Sequence, residues 1–298
     1  MKKILIGIFG VAALAGTSFA VEFNGGENGN WGVDARWGGA QPTVDGAAFI
    51  RSGTQNVYVT LDDEVAQRLT LGQSASQATL SILSGSLTLG GNGGSNEGKL
   101  YVSWGGPGET KGVVNLSGGS LTALGYGTNT DTAGDIAQLN ISGTGVFDLN
   151  GHFAAGGGHV DADNSVKVTG SSASIDVSNS ATFGANSALS FVLDGGGAST
   201  FVANAFTANA AADLVIDFGT YAYTGSGTDQ ITIVNSNSLT AFDVGNISYL
   251  NDAGFNYTLV QDTVGSGDIY LNIIPEPGTY ALLGGIFALS YVMVRRRS

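Results

Sequence analysis

His152 and His159 are the two histidines of this 298-residue chain, and Asp161 and Asp163 follow close behind. Imidazole and carboxylate are suitable metal ligands. A spacing of seven within a glycine-rich stretch matches no established ligand pattern, however, and reads as solvated turn residues. Asp161-Ala162-Asp163-Asn164-Ser165 opens like a calcium loop, but its sixth and twelfth places hold Val166 and Ser172, where such a loop needs glycine and glutamate. Asp213 and Asp217 have the side chains for glycoside hydrolysis. Acidic residues are spread along the whole chain, and no aromatic cluster marks this pair. Gly105-Gly106-Pro107-Gly108-Glu109-Thr110-Lys111 lacks the Gly-Lys-Ser/Thr ending of a phosphate loop. Trp31, Trp37 and Trp104 have rings that could stack on sugars, but packing in a core or cap is the preferred reading for all three. No catalytic, cofactor-binding or metal residue is assigned, and no cofactor is expected. The expectation is a non-enzyme.

The elements that would position these residues are strands. Glycine occurs 48 times and charged residues make up only 12% of the chain. Glycine weakens a helix interior by about 1 kcal/mol per site, and Ser, Thr and Asn favour turns. The chain has no cysteine, which excludes disulfides, thiolate zinc sites and a cysteine nucleophile.

Five segments resemble one another. Leu80–Gly90, Val114–Gly125, Leu139–Leu149 and Val166–Ile175 each place alternating apolar residues before a Ser-Gly or Thr-Gly turn, and Phe191–Gly197 is a looser copy. Aligning Ile82, Leu116, Ile141, Val168 and Leu193 gives spacings of 34, 25, 27 and 25. Alternation is the period of a half-buried strand, and glycine accepts the positive φ of a tight turn. A single copy cannot bury its apolar face, but stacked copies can. The pattern predicts an all-β fold, a parallel β-solenoid of five coils about 20–25 Å tall at one strand spacing per coil. An antiparallel sandwich is the alternative. Residues 21–77 are expected to form an N-terminal β cap in which Trp31, Trp37, Phe49 and Ile50 supply apolar surface, with 62–68 as a polar turn or short helix. The repeats occupy 78–204. Residues 205–274 form a β-rich C-terminal cap or a small sandwich.

Both ends read as addresses. Lys2-Lys3 precedes an apolar run from Ile4 to Gly16, and Ser18-Phe19-Ala20 supplies small residues before a cut. Residues 1–20 read as a secretory signal cleaved between Ala20 and Val21, with a retained anchor as the alternative. At the other end Pro275-Glu276-Pro277 precedes 17 uncharged residues, Gly278 to Val294, and then Arg295-Arg296-Arg297. As a helix those 17 residues span about 25 Å, near the lower limit for a transmembrane helix. Snorkelling arginines extend the reach and favour the cytoplasmic side. A buried helix of a soluble domain is the alternative.

The motif at 275–277, the helix at 278–294 and the basic cluster at 295–297 resemble the PEP-CTERM sorting domain of exported bacterial proteins. The resemblance covers about the last 25 residues. It implies processing by an exosortase, after a signal peptidase has acted at the N-terminus. It also implies insertion in the membrane with the body outside the cytoplasm, later release to the surface or matrix, and a place beside exopolysaccharide or biofilm. The tryptophan-rich start followed by Ser-Gly-Gly-Ser-Leu turns resembles exported autotransporter-like β-helical modules. Between the two addresses the body carries six basic and 23 acidic residues, a net charge near −17. That disfavours nucleic acid, whose phosphates require a cationic face. The resulting expectation is an exported, membrane-anchored surface or matrix structural protein. The alternative is a polysaccharide-active enzyme or a glycan-binding module on a β-helix.

Overall fold

The computed structural model describes residues 20–24, 28–91, 97–156, 158–222, 229–252, 255–264, 267–274 and 277–296. The expected signal, apart from its exposed last residue Ala20, lies outside them, as do Pro275, Glu276 and Arg297. Val21 opens the first strand, Val21–Glu22, which pairs in parallel with Ala47–Ile50.

The body is all-β, a mostly parallel solenoid of about seven turns. One sheet stacks nine strands: Asn28–Asn30, Thr54–Val59, Gln77–Ile82, Lys111–Leu116, Ile136–Ile141, Asp163–Thr169, Ser187–Val192, Asp213–Asp217 and Ile247–Leu250. At a strand spacing of ~4.8 Å this ladder is about 38 Å tall, more than five coils require. The second sheet has fourteen strands. Three of its strands, Ser120–Asn129, Val146–Ala155 and Ser174–Phe183, run ten residues each. The register slips between Ala123 and Gly125, and again between Val177 and Ser180. Such bulges bend a strand and let one long strand turn a corner of the coil.

Ile82, Leu116, Ile141 and Val168 stack in register as expected. The fifth partner is Phe191, not Leu193, so the last spacing is 23 residues. Both side chains point inward and are buried. A slip of two residues keeps every side chain on its own face, so alternation cannot distinguish the two registers.

Burial explains the stack. Val57, Leu80, Val114, Leu139, Val166, Leu189 and Leu214 form one inward column, all completely buried. Each contributes about 1.5–3 kcal/mol relative to exposure. In the facing sheet large and small residues alternate. Phe153, Ala181 and Phe206 are successive partners, and so are Ala155, Phe183 and Ala208. A ring therefore fills the space above an alanine, which is how layers interdigitate at native density.

The turns stack as well. Gly85 has φ +77°, and a Cβ there would sit 2.2 Å from the Leu61 carbonyl oxygen. The turn needs glycine both for its backbone and for the close approach of the coil below. Gly143 and Gly170 are left-handed too, while Gly118 and Gly119 are not. In the later turn Asp194 accepts hydrogen bonds from Gly196 N at 2.8 Å and Ser171 N at 3.1 Å. The bond from the Gly196 backbone, chiefly, holds its carboxyl below the usual value of 3.8. A depressed acid contributes stability that is present above its unfolded pKa and lost as pH falls through the folded one. Thermal melts of Asp194→Asn from pH 6 to pH 2 should therefore fall less steeply below about pH 4 than the parent. Identical slopes would refute this role.

Aromatic rings close the ends. Trp31 and Trp37 are buried, 4.7 Å apart, with Trp37 Nε1 donating to Trp31 O at 2.8 Å. Phe49, expected among the cap's apolar residues, instead points outward and is only half-buried. The segment 62–68 contains the strand Glu64–Ala66 rather than a helix, and Asp63 takes the turn with φ +63°. At the far end an antiparallel hairpin, Asn256–Gln261 with Ile269–Ile274, closes one sheet. Phe218 stacks 4.8 Å from Phe255 beneath it.

Beyond the body, Pro277–Arg295 is one α-helix of 19 residues. It begins on the second proline rather than at Gly278, because proline is compatible with the first helical position. Among the described residues no helix is long and apolar enough to cross a membrane, and the span expected at 278–294 finds no support there. Side chains are described only for 285–293 and for Arg295 and Arg296. Ile286, Phe287, Leu289, Tyr291, Val292 and Met293 are all exposed.

Candidate functional site

The polar residues singled out by type do not converge. His152 lies on the outer face of its strand, with Nδ1 2.8 Å from Ser180 Oγ. His159 sits in the following loop, its Nδ1 3.7 Å from Asp161 Oδ2. Asp163 accepts from Gln138 Nε2 at 2.8 Å. Among the described residues no group of three or more His, Cys, Asp or Glu is placed to hold a metal. Asp213 and Asp217 share one strand and one face. Four residues of strand separate them by about 13 Å, beyond the ~5–9.5 Å of a glycosidase pair. Asp217 is moreover occupied by Gly219 N and Asn251 Nδ2 at 2.9 and 2.7 Å. The loop 105–110 is a corner between Lys99–Trp104 and Lys111–Leu116, not a phosphate cradle.

A different constellation forms on the outer face of the fourteen-stranded sheet. Phe49 pairs with Thr70, and Thr70 with Tyr101. Arg68 and Lys99 each stand two residues earlier on their strands and so share that face. Together Phe49, Arg68, Thr70, Gln73, Tyr101 and Trp104 line an open depression of about 180 Å³. Pockets that enclose a small molecule hold about 300–1,000 Å³. This one is an open shelf on the face of the sheet rather than an enclosing pocket.

Trp104 is on the shelf because of a local irregularity. Regular alternation would turn it inward after Leu100 and Val102. Ser103 instead adopts φ +53°, and the register jumps between Thr128 and Asn129, so that Asn129 pairs with Trp104. A bulge re-aims the next side chain. Trp104 is 37% exposed, and its ring lies 4.0 Å from that of Tyr101 at an interplanar angle of 52°. Left-handed backbone at a non-glycine residue is costly and persists only where its surroundings hold it. Here they do. Ser103 is fully buried and its hydroxyl bonds that of Thr110. Thr110 in turn donates through N and Oγ1 to Asp135 Oδ1 at 2.7 and 3.0 Å. Asp135 is itself fully buried, and its Oδ2 accepts from Thr132 N at 2.9 Å.

The shelf is cationic in an acidic body. Arg51, Arg68 and Lys99 are three of the six basic residues between the addresses. The guanidinium carbons of Arg51 and Arg68 lie 4.4 and 5.6 Å from the Phe49 ring centroid. Arg51 also donates to Gln73 Oε1 at 3.1 Å and pairs with Glu22 at 3.5 Å. Arg68 Nε is shut off from solvent without a hydrogen-bond partner. Beyond Tyr101 the same ladder continues with Gly127 and Ala154, a low floor beside the raised rings.

Of the three tryptophans proposed for stacking, Trp31 and Trp37 are core and only Trp104 is presented. Phe49 was expected in the cap's apolar surface, and the grouping of Arg51, Arg68 and Tyr101 beside it leaves no sign in the sequence, because outward positions leave no mark on apolar alternation. No family model, curated protein or solved structure matches the chain.

Proposed function

We propose that this chain is a non-catalytic structural protein of the bacterial surface or extracellular matrix, exported and held at the membrane by its C-terminal tail. The observation that carries the reading is the tail itself. Pro275-Glu276-Pro277, a helix charged only at its end, and Arg295-Arg296-Arg297 follow one another directly after the body. The exposed apolar side chains of Ile286, Phe287, Leu289 and Met293 suit lipid contact, and the arginines suit the cytoplasmic interface. Signal peptidase acting between Ala20 and Val21 and an exosortase-type enzyme acting near the motif are the processing partners, and exopolysaccharide is the neighbour. A stiff acidic rod with tightly stacked turns suits a matrix component. Its interior is filled by one continuous cluster of buried apolar side chains.

Deleting residues 275–298 in a bacterium that carries an exosortase should move the body from the cell envelope to the culture medium. Fractionation followed by immunoblotting measures it. Envelope retention equal to that of the full chain would overturn the sorting role.

A further inference from the structure

We propose that the shelf of Trp104, Tyr101, Arg68 and Arg51 binds an acidic polysaccharide, one sugar ring stacking on Trp104 and its carboxylate reaching the guanidinium groups. The proposal deepens the matrix reading by naming the ligand class, and it takes only its biological setting from that reading.

Three observations point to this ligand together. The first is the bulge at Ser103, which places a large indole in water beside Tyr101 although alternation would bury it. An exposed aromatic surface with a polar rim marks a contact site, and the apolar face of a pyranose, lined with axial C–H bonds, packs on an aromatic face. The second is charge. Arg51, Arg68 and Lys99 gather on one face of a body with net charge near −17, and Arg68 lines the depression beside Tyr101 and Trp104. A carboxylate is the planar partner that guanidinium matches. Glu22 on Arg51 and Asp131 near Gly105 are the counter-charges at the rim. They limit the site to isolated carboxylates. The third is spacing. Phe49, Thr70 and Tyr101 are successive ladder partners, so the arginine-covered ring and the tyrosine lie about 9.6 Å apart, two strand spacings. An extended glycan covers that distance with two rings, and Gly127 and Ala154 leave its path clear.

Nucleic acid and anionic membranes are less suited. Both present dense negative charge and need a broad cationic face, which three cations in an acidic body do not make.

The test uses the full chain in detergent and titrates it with oligogalacturonate, oligomannuronate and hyaluronate hexasaccharides, and with fully methyl-esterified oligogalacturonate. Calorimetry at about 50 and 200 mM salt reads affinity, since screening weakens exposed charge contacts. At least one acid oligosaccharide should bind. Trp104→Ala and Arg68→Gln should each weaken it about tenfold or more, the range of aromatic and arginine hot spots. Esterification and added salt should weaken it too, and Lys167→Gln on the opposite sheet should not. Trp104→Phe should recover part of the loss, separating ring stacking from mere packing. No binding to any of the three acids, equal binding of the ester, or indifference to Trp104→Ala would overturn the proposal. So would tighter, equally Trp104-dependent binding of phosphatidylserine vesicles or of DNA. Tail deletion without release would sink the sorting role and leave a positive titration standing.

Discussion

Replacing Phe183 by alanine should destabilise the central coils by about 3–5 kcal/mol, the usual cost of deleting a buried phenyl ring. The upper part of that range applies here. Phe183 is fully buried, and its ring centroid lies 5.3–5.8 Å from those of Phe206, Phe153 and Phe201. Its ladder partners are Ala155 and Ala208, which are too small to fill the space. Each sits on a strand locked by parallel pairing, so the site cannot collapse. In stacked repeats the loss is local before it is global. Hydrogen exchange should therefore show the amides of 146–155, 174–183 and 201–208 losing protection well before those of the N-terminal coils. Phe49→Ala, which removes an outward ring, should cost far less. A change below about 1 kcal/mol for Phe183→Ala would show that the rings are not tightly packed.

Asp135→Ala should be nearly as damaging, for a different reason. The buried N–H and hydroxyl of Thr110 and the part-buried N–H of Thr132 lose their acceptor. An unsatisfied buried donor costs about 1–3 kcal/mol, so a total of about 2–5 kcal/mol is expected in urea unfolding. The substitution should also reach the shelf. Thr110 holds Ser103, and Ser103 holds the bulge that turns Trp104 outward. Tryptophan emission of the folded variant should shift although Trp104 itself is untouched. An unchanged spectrum would mean that the bulge stands without the carboxylate.

Much of the solenoid was legible because its inward residues alternate and its turns carry Ser-Gly or Thr-Gly. Ile82, Leu116, Ile141 and Val168 share one place in that pattern and one register in the sheet. Leu193 could not be told from Phe191, since both satisfy the same periodicity. The length of the ladder was underestimated because its first and last strands are shorter or lack the turn signature: Asn28–Asn30 reads as loop, and Ile247–Leu250 follows a 33-residue step from Leu214. The shelf was nearly invisible. Trp104 was noticed as a ring, but its direction depends on Ser103, whose conformation is stabilised by Asp135, 32 positions away in the chain. The basic residues looked sparse and scattered. Only coiling in steps of 21 and 31 residues brings Arg51, Arg68 and Lys99 to one face.

The strand Ile269–Ile274, which leads into the tail, is hydrogen-bonded on both sides, to Asp229–Ser236 and to Asn256–Gln261. Tension transmitted through the tail would pull along that strand. It would load two antiparallel ladders in shear at once, rather than unzipping a free edge one bond at a time. Each ladder shares the force among several bonds, so under such tension the body should resist detachment at this end and yield elsewhere first. The hairpin thus converts a chain terminus into a mechanical clamp.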